Sequence, residues 1–279
     1  MRPIQSLLEE FDSAMLLRRK TKPTTPVQDA PLALRTMDGT LLKDFPSELV
    51  SSVRHMETTL ICNERLPKRI SVVAALGGEG VTYITLALAT TLATDLAVRV
   101  CAVELNWWSP GMQNQLAEPS PSAPARRRAR RQVTLQPVPL PVLATSPGLA
   151  AVLTNSATLE EALIPTALPN LMLLPAGDLP AELRPTLARS DVLKQCIAQL
   201  GQQFDHLILD MPAILSTSDA IALASLGVGC CIVIRQGITP VNSVRRALND
   251  LQHLEMLGVV LNQNHTAVPH WVQTLIPHE

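Results

Sequence analysis

The chain has 279 residues, 47% of them in the apolar AVILMFWYC set and 17% charged, with a formal net charge of −1. A chain this long buries roughly 75% of its unfolded surface, which excludes an unstructured polymer, and the balanced charge excludes wholesale binding of polyanions. Aromatic residues reach only 3%, with Tyr83 the single tyrosine, which speaks against stacking platforms for bases or sugars.

Residues 3–16 (PIQSLLEEFDSAML) place Ile4, Leu7, Leu8, Phe11 and Met15 on one helical face, with Glu9, Glu10 and Asp12 opposite. The stretch LRRKTKPTTPVQDAP then reads as a linker. Residues 1–45 are therefore expected to be an N-terminal amphipathic helix and linker, ahead of a domain spanning 46–279. No apolar segment follows the starting MRPIQ, and no apolar stretch free of charges and clustered prolines reaches the roughly 20 residues that cross a bilayer, so a cytoplasmic location is expected. Cys62, Cys101, Cys196, Cys230 and Cys231 are odd in number and show no C-x-x-C spacing, so neither a disulfide framework nor zinc is implied, and no haem is expected. The histidines show no H-x-x-x-H pattern, and His265 and His270 read as unligated residues of a C-terminal tail.

From residue 70 the pattern alternates. β-branched runs at Ile70–Ala74, Val98–Val103, Leu171–Leu174, His206–Leu209, Cys230–Ile234 and Val259–Leu261 predict strands. Helices are predicted at Thr82–Thr94, Asp191–Gln202, Ser218–Ala224 and Val241–Leu254. Continuous apolar strands alternating with amphipathic helices predict an α/β fold with a doubly wound, mostly parallel sheet flanked by helices. Residues 113–147 break the rhythm with clustered prolines and the run ARRRARR, and read as an exposed insertion.

The chemistry gathers around Ala75-Leu76-Gly77-Gly78-Glu79-Gly80-Val81-Thr82, between the first of these strands and a helix. Glycines there form a loop whose amides surround phosphate oxygens, and the helix dipole adds positive potential. Against the P-loop pattern G-x-x-x-x-G-K-[ST], Ala75 takes the first glycine, Gly80 the second, Thr82 the magnesium-binding hydroxyl, and Val81 the place of the lysine. A second strand runs into Glu104-Leu-Asn106-Trp107-Trp108. A third, Phe204-Asp-His-Leu-Ile-Leu-Asp210-Met-Pro212, ends in an acid in the Walker B manner, where an aspartate holds Mg²⁺.

The motif order GEG loop, acidic-x-polar strand end, PGL-x-x-VL, LPAG, FD-x-x-x-x-D-x-P, SDA and GVVLN resembles the bacterial tyrosine kinases (BY-kinases, CpsD/CapB-like), relatives of MinD and ParA, over roughly residues 47–262. The resemblance implies a MinD-like P-loop NTPase fold, with ATP or ADP and Mg²⁺ as ligands. It implies nucleotide contacts from Gly77, Gly78, Glu79, Gly80, Val81, Thr82 and Asn262, metal contacts from Thr82 and Asp210, and catalytic roles for Asp210 and Glu104. Glu48 and Arg54 match part of the family's E-x-x-R-x-x-R assembly helix, where Ser51 replaces the first arginine. Together with Trp107 and Trp108, for which burial over the site or against the insertion is an equal expectation, they are the candidate interface residues.

The departures decide the expected function. Val81 carries no charge, Asn106 replaces an acid, and no tyrosine follows Tyr83, so the C-terminal tyrosine cluster of the family is missing. Losing one electrostatic donor costs on the order of 10²–10³ in rate, and two are changed here. Kinase activity is therefore not expected, whereas weak nucleotide binding without turnover is. The expected function is a degenerate BY-kinase-like regulator or scaffold in capsular or exopolysaccharide biosynthesis and export. Its expected partner is a Wzz-like membrane polysaccharide co-polymerase or another protein of such a system, reached at the inner face of the membrane. Self-association remains open, and DNA is not the expected partner. Two alternatives remain: an ATPase switch using a substitute cation such as Arg235 or an insertion arginine, and a ParA/MinD-like positioning protein.

Overall fold

The computed structural model describes residues 32–117 and 146–262. The expected N-terminal helix, the linker, the arginine run and the tail beyond 262 lie outside them. Strands β1 (Leu32–Arg35) and β2 (Leu41–Phe45) form an antiparallel hairpin, and helix α1 spans Ser47–Cys62. Then come β3 (Arg69–Ala74), α2 (Val81–Asp95), β4 (Val100–Glu104) and α3 (Met112–Ala117). After residue 145 follow α4 (Gly148–Leu153), α5 (Leu159–Ala162), β5 (Ile164–Pro165), β6 (Leu171–Leu174), α6 (Arg184–Ala188) and α7 (Asp191–Gln203). The last described elements are β7 (His206–Asp210), α8 (Asp219–Ala224), β8 (Gly229–Arg235), α9 (Val241–Asp250) and β9 (Glu255–Asn262).

Seven strands make one sheet in the order β5-β6-β4-β7-β3-β8-β9, parallel throughout except for β5. The central strands are covered on both faces, which is why their sequences are apolar without alternation. On one face α1, α2 and the hairpin bury Val53, Ile84, Leu88, Leu34 and Phe45; on the other Leu149, Ile197, Leu223 and Ala247 pack below β3, β4, β7 and β8. Helix α2 is apolar all round because it lies inside the first layer, with 11 of its 15 residues buried. Its buried Thr90 and Thr91 hydroxyls donate back to Leu86 O and Ala87 O at 2.7 and 2.8 Å.

The predicted strands and helices all form, with shifted ends. Helix α9 stops at Asp250 rather than Leu254: Leu251 is buried and Leu254 packs on the same core, so the apolar period continues after the backbone has turned. Strand β9 starts earlier than Val259 because a bulge opposite Cys230/Cys231 resets its register and hides its alternation. Helix α3 occupies the first residues of the expected insertion. The hairpin falls on the N-terminal side of the boundary expected at residue 46, yet Leu34, Leu42 and Phe45 join the domain core, and Thr36 bridges to Thr166. Four of the cysteines are buried and Cys62 is exposed; burial pushes the Cys230 and Cys231 thiols up to about 12.

Candidate functional site

Parallel strands end on the same edge of a sheet, so β3, β4, β7, β8 and β9 bring their C-terminal residues together at the crevice where α/β folds bind ligands. The loop Ala75–Gly80 leaves β3 there. Glu79 is only 3% exposed, and its Oε2 accepts from the amides of Ala75 and Leu76 at 3.1 and 3.3 Å. The Thr239 hydroxyl donates to Glu79 Oε1, and the Asn262 side-chain amide donates to Glu79 O at 2.8 Å. The carboxylate thus braces the base of the loop. Among the described residues, no hydrogen bond uses the amides of residues 77–83, so the upper loop and the first turn of α2 present free donors.

Glycine is required at the last loop position. Gly80 has φ 95°, and a Cβ there would stand 2.1 Å from Asn262 Nδ2. Gly80→Ala is expected to cost about 2–3 kcal/mol of stability and to displace Asn262, read by chemical denaturation. A change under about 0.5 kcal/mol would contradict this geometry.

Across the sheet edge, Glu104 and Asp210 are register neighbours on β4 and β7. Glu104 is buried, and its carboxylate is fully engaged: Oε1 accepts from Gly111 N and Met112 N at 2.5 and 2.7 Å, and Oε2 from Ala176 N at 3.0 Å. Asp210 is fully buried, and neither carboxylate oxygen has a hydrogen-bond partner among the described residues. Burial pushes the Asp210 carboxyl well above the usual carboxylate range and the Glu104 charge pushes it further; the Thr82 hydroxyl pulls the other way without reaching hydrogen-bond geometry. Burial also raises Glu104, but its three amides favour the anion, so the proton shared by this pair belongs on Asp210. Thr82 completes the group: a Cβ on Gly111 would lie 2.5 Å from its hydroxyl.

Gly77, Gly78, Glu79, Gly80, Val81, Thr82, Glu104, Asp210 and Asn262 therefore belong to one crevice. Thr239 and Gly111 belong there too, with little mark in the sequence beyond the place of Thr239 before Pro240 at a helix start. Asn106 is a turn residue, bonded through both ends of its amide to Ser109 at 2.9 and 3.1 Å. Of the two expectations for Trp107, an interface and burial, the structure shows burial. Trp107 is 1% exposed, donates from Nε1 to Ala176 O at 3.0 Å and packs in the core, with Trp108 half-buried beside it. Glu48 is exposed on α1, whereas Arg54 is tied to Asp95 at the end of α2 by bonds of 2.6 and 2.9 Å. Tyr83 packs on Phe45 with the Lys43 ammonium over its ring. Asp219 of the SDA motif is buried and paired with Arg189 at 2.6 Å.

No family model matches the chain. The tyrosine-protein kinase CpsD of Streptococcus agalactiae is 30% identical over 127 residues, covering 44% of this chain and 55% of CpsD. The tyrosine-protein kinase ptk of Acinetobacter johnsonii is 29% identical over 120 residues, 43% of this chain and 16% of ptk. The chain is a relative of the bacterial tyrosine kinases. The match spans about half the length of CpsD and a sixth of ptk. The fold agrees: the VpsO kinase domain superposes with TM-score 0.63 at 20% identity, covering 77% of this chain and 94% of that domain. The kinase domain of Escherichia coli ETK gives 0.61 at 18% identity, covering 76% and 74%. MinD of Pyrococcus horikoshii, solved with Mg-ADP, gives 0.52 at 22% identity, covering 77% and 79%. The architecture is that of a BY-kinase or MinD P-loop domain.

For a BY-kinase relative, the fit of a magnesium nucleotide is divided. The free amides of the loop suit phosphate oxygens, and Thr82 with the unpartnered Asp210 carboxylate suits the cation, which would supply charge neutralisation on the phosphates. Val81 offers only a short apolar side chain where the lysine belongs, and Glu104 is spent on backbone amides.

Proposed function

We propose that this chain is a catalytically degenerate BY-kinase-like protein that regulates or scaffolds a capsular or exopolysaccharide assembly system through contacts with a membrane polysaccharide co-polymerase. The observation that carries the reading is a folded loop with Thr82 and Asp210 in place but Val81 at the charged position. Likeness to tyrosine-protein kinases of the CpsD and wzc type supports the system. No described helix is long and apolar enough to cross a membrane, so in this reading the membrane is reached through the partner.

A second reading is favoured by the free loop amides: a nucleotide-dependent switch whose missing cation comes from elsewhere. Calorimetric titration with Mg·ADP and Mg·ATP, run beside a phosphate-release and autophosphorylation assay, separates the two. The degenerate reading expects no turnover in the wild type, and tighter nucleotide binding in Val81→Lys. Turnover that disappears in Asp210→Asn would overturn it and leave an active enzyme.

A further inference from the structure

Arg235 closes β8 and pairs in register with Asn262 on β9. Residues paired across parallel strands project to the same face with neighbouring Cβ atoms. Asn262 lies against the phosphate loop, donating to Glu79 O and blocking any Cβ on Gly80. The backbone of Arg235 is tied to the same loop, because its amide donates at 3.0 Å to the Thr239 hydroxyl, which donates in turn to Glu79. Arg235 thus stands one strand position from the residue that touches the loop glycine.

Its side chain is the anomaly. The Nε atom of Arg235 is buried and has no hydrogen-bond partner among the described residues. No acidic residue of the described chain forms an ion pair with it: the arginine and lysine pairs join Arg54 to Asp95, Arg65 to Glu255, Arg99 to Asp205, Arg189 to Asp219 and Lys194 to Asp191. A buried donor left unsatisfied forfeits its hydration without return, so folded proteins seldom keep one that meets no partner. Two features of the neighbouring crevice also lack partners among the described residues: the loop amides and both oxygens of Asp210. Free loop amides, a guanidinium whose buried Nε has no partner and an unpartnered carboxylate, all among the described residues, are the kinds of group that a metal-bound phosphate ester engages. Glu79, linked to the Arg235 amide through the Thr239 hydroxyl, is already committed to Ala75, Leu76 and Thr239.

We propose that Arg235 supplies the positive charge that Val81 lacks, meeting a phosphate oxygen of a nucleoside di- or triphosphate held on the loop. The charge comes from the β8 side rather than from the helix, so it neutralises phosphate without following the transferred group, and binding is separated from turnover. A planar guanidinium presents paired donors to phosphate, which an ammonium cannot, so lysine replaces it only in part.

The inference rests on nucleotide binding at this loop, and the test distinguishes the two. Mg·ADP and inorganic pyrophosphate are titrated calorimetrically into the full chain and into Arg235→Gln, Arg235→Lys and Arg235→Gln/Val81→Lys, with thermal melting as the check on folding. Arg235→Gln should weaken both ligands about ten- to a hundredfold, the size of one charge-assisted contact. Arg235→Lys should keep part of the affinity, and Val81→Lys should restore it to Arg235→Gln. If the wild type binds and Arg235→Gln binds equally, Arg235 has no such role and nucleotide binding stands. If neither ligand binds the wild type, both readings fall. Should Arg235→Gln melt early, Arg235→Lys decides: an affinity as low as that of an uncharged site overturns the charge assignment.

Discussion

Replacing Glu104 with alanine should lower stability by about 3–5 kcal/mol, more than any other substitution at the crevice. The carboxylate takes three buried amides, those of Gly111, Met112 and Ala176, and each amide left dry costs about 1–3 kcal/mol. Removing the side chain also leaves a cavity beside Asp210. Glu104→Gln should cost less. Its carbonyl oxygen can still accept from Gly111 and Met112, and only the contact to Ala176 turns into two facing donors. Urea denaturation of the wild type and both variants checks this order. Equal losses in the two variants would mean that the amides find water instead. The result bears on function, because a residue that carries this load in the fold is poorly free to serve as a base.

The second large effect is a fall in stability as pH rises. Glu57 on α1 is 3% exposed, its Oε1 has no hydrogen-bond partner among the described residues, and burial together with the Asp95 charge pushes its carboxyl up to about 8 against the attraction of Arg54. Its ordinary value is near 4.5. Below about 4.5 the folded and unfolded states both hold the proton, and the contribution of Glu57 is fully present. Between there and about 8 the folded state holds a proton that the unfolded state has released, so each step up in pH favours unfolding. The full swing is roughly 3–5 kcal/mol. Asp210, also raised by burial and by Glu104, adds a loss of the same sign. Asp191 and Asp205 are lowered by Lys194 and Arg99, so their contributions disappear only at the acid end. Denaturation at pH 5, 6.5 and 8 should show the wild type weakening and Glu57→Gln nearly flat apart from the Asp210 share. A wild type equally stable at pH 5 and 8 would refute the assignment.

The sheet was legible because its strands are buried on two faces and carry unbroken apolar runs, as in Cys230–Ile234. The hairpin carries a local signal of its own: Asp38-Gly39 sits between two apolar runs, and Gly39 takes the positive φ that such a turn needs. The crevice residues could be placed by spacing, since Thr82 stands in the first turn of the helix after the loop and Asp210 closes its strand. Their partners could not. Nothing in a string of residues shows that Glu104 would reach the amides of Gly111 and Ala176, or that Trp107 would turn inward to Ala176 O while its neighbour stays half-buried. The contacts to Ala176 join segments about 70 residues apart, and only packing decides them.

That distance also governs how the molecule assembles. Strands β4 and β7 lie side by side at the centre of the sheet, and Arg99 and Asp205, which pin their starts together, are separated by 106 residues. Folding rates fall as the sequence separation of native contacts grows, and parallel central strands are among the slowest pairings to form. On a ribosome, the phosphate loop would emerge long before β7 arrives to support it. Until then β3 and β4 expose unpaired apolar edges, the period in which this chain most needs protection from aggregation.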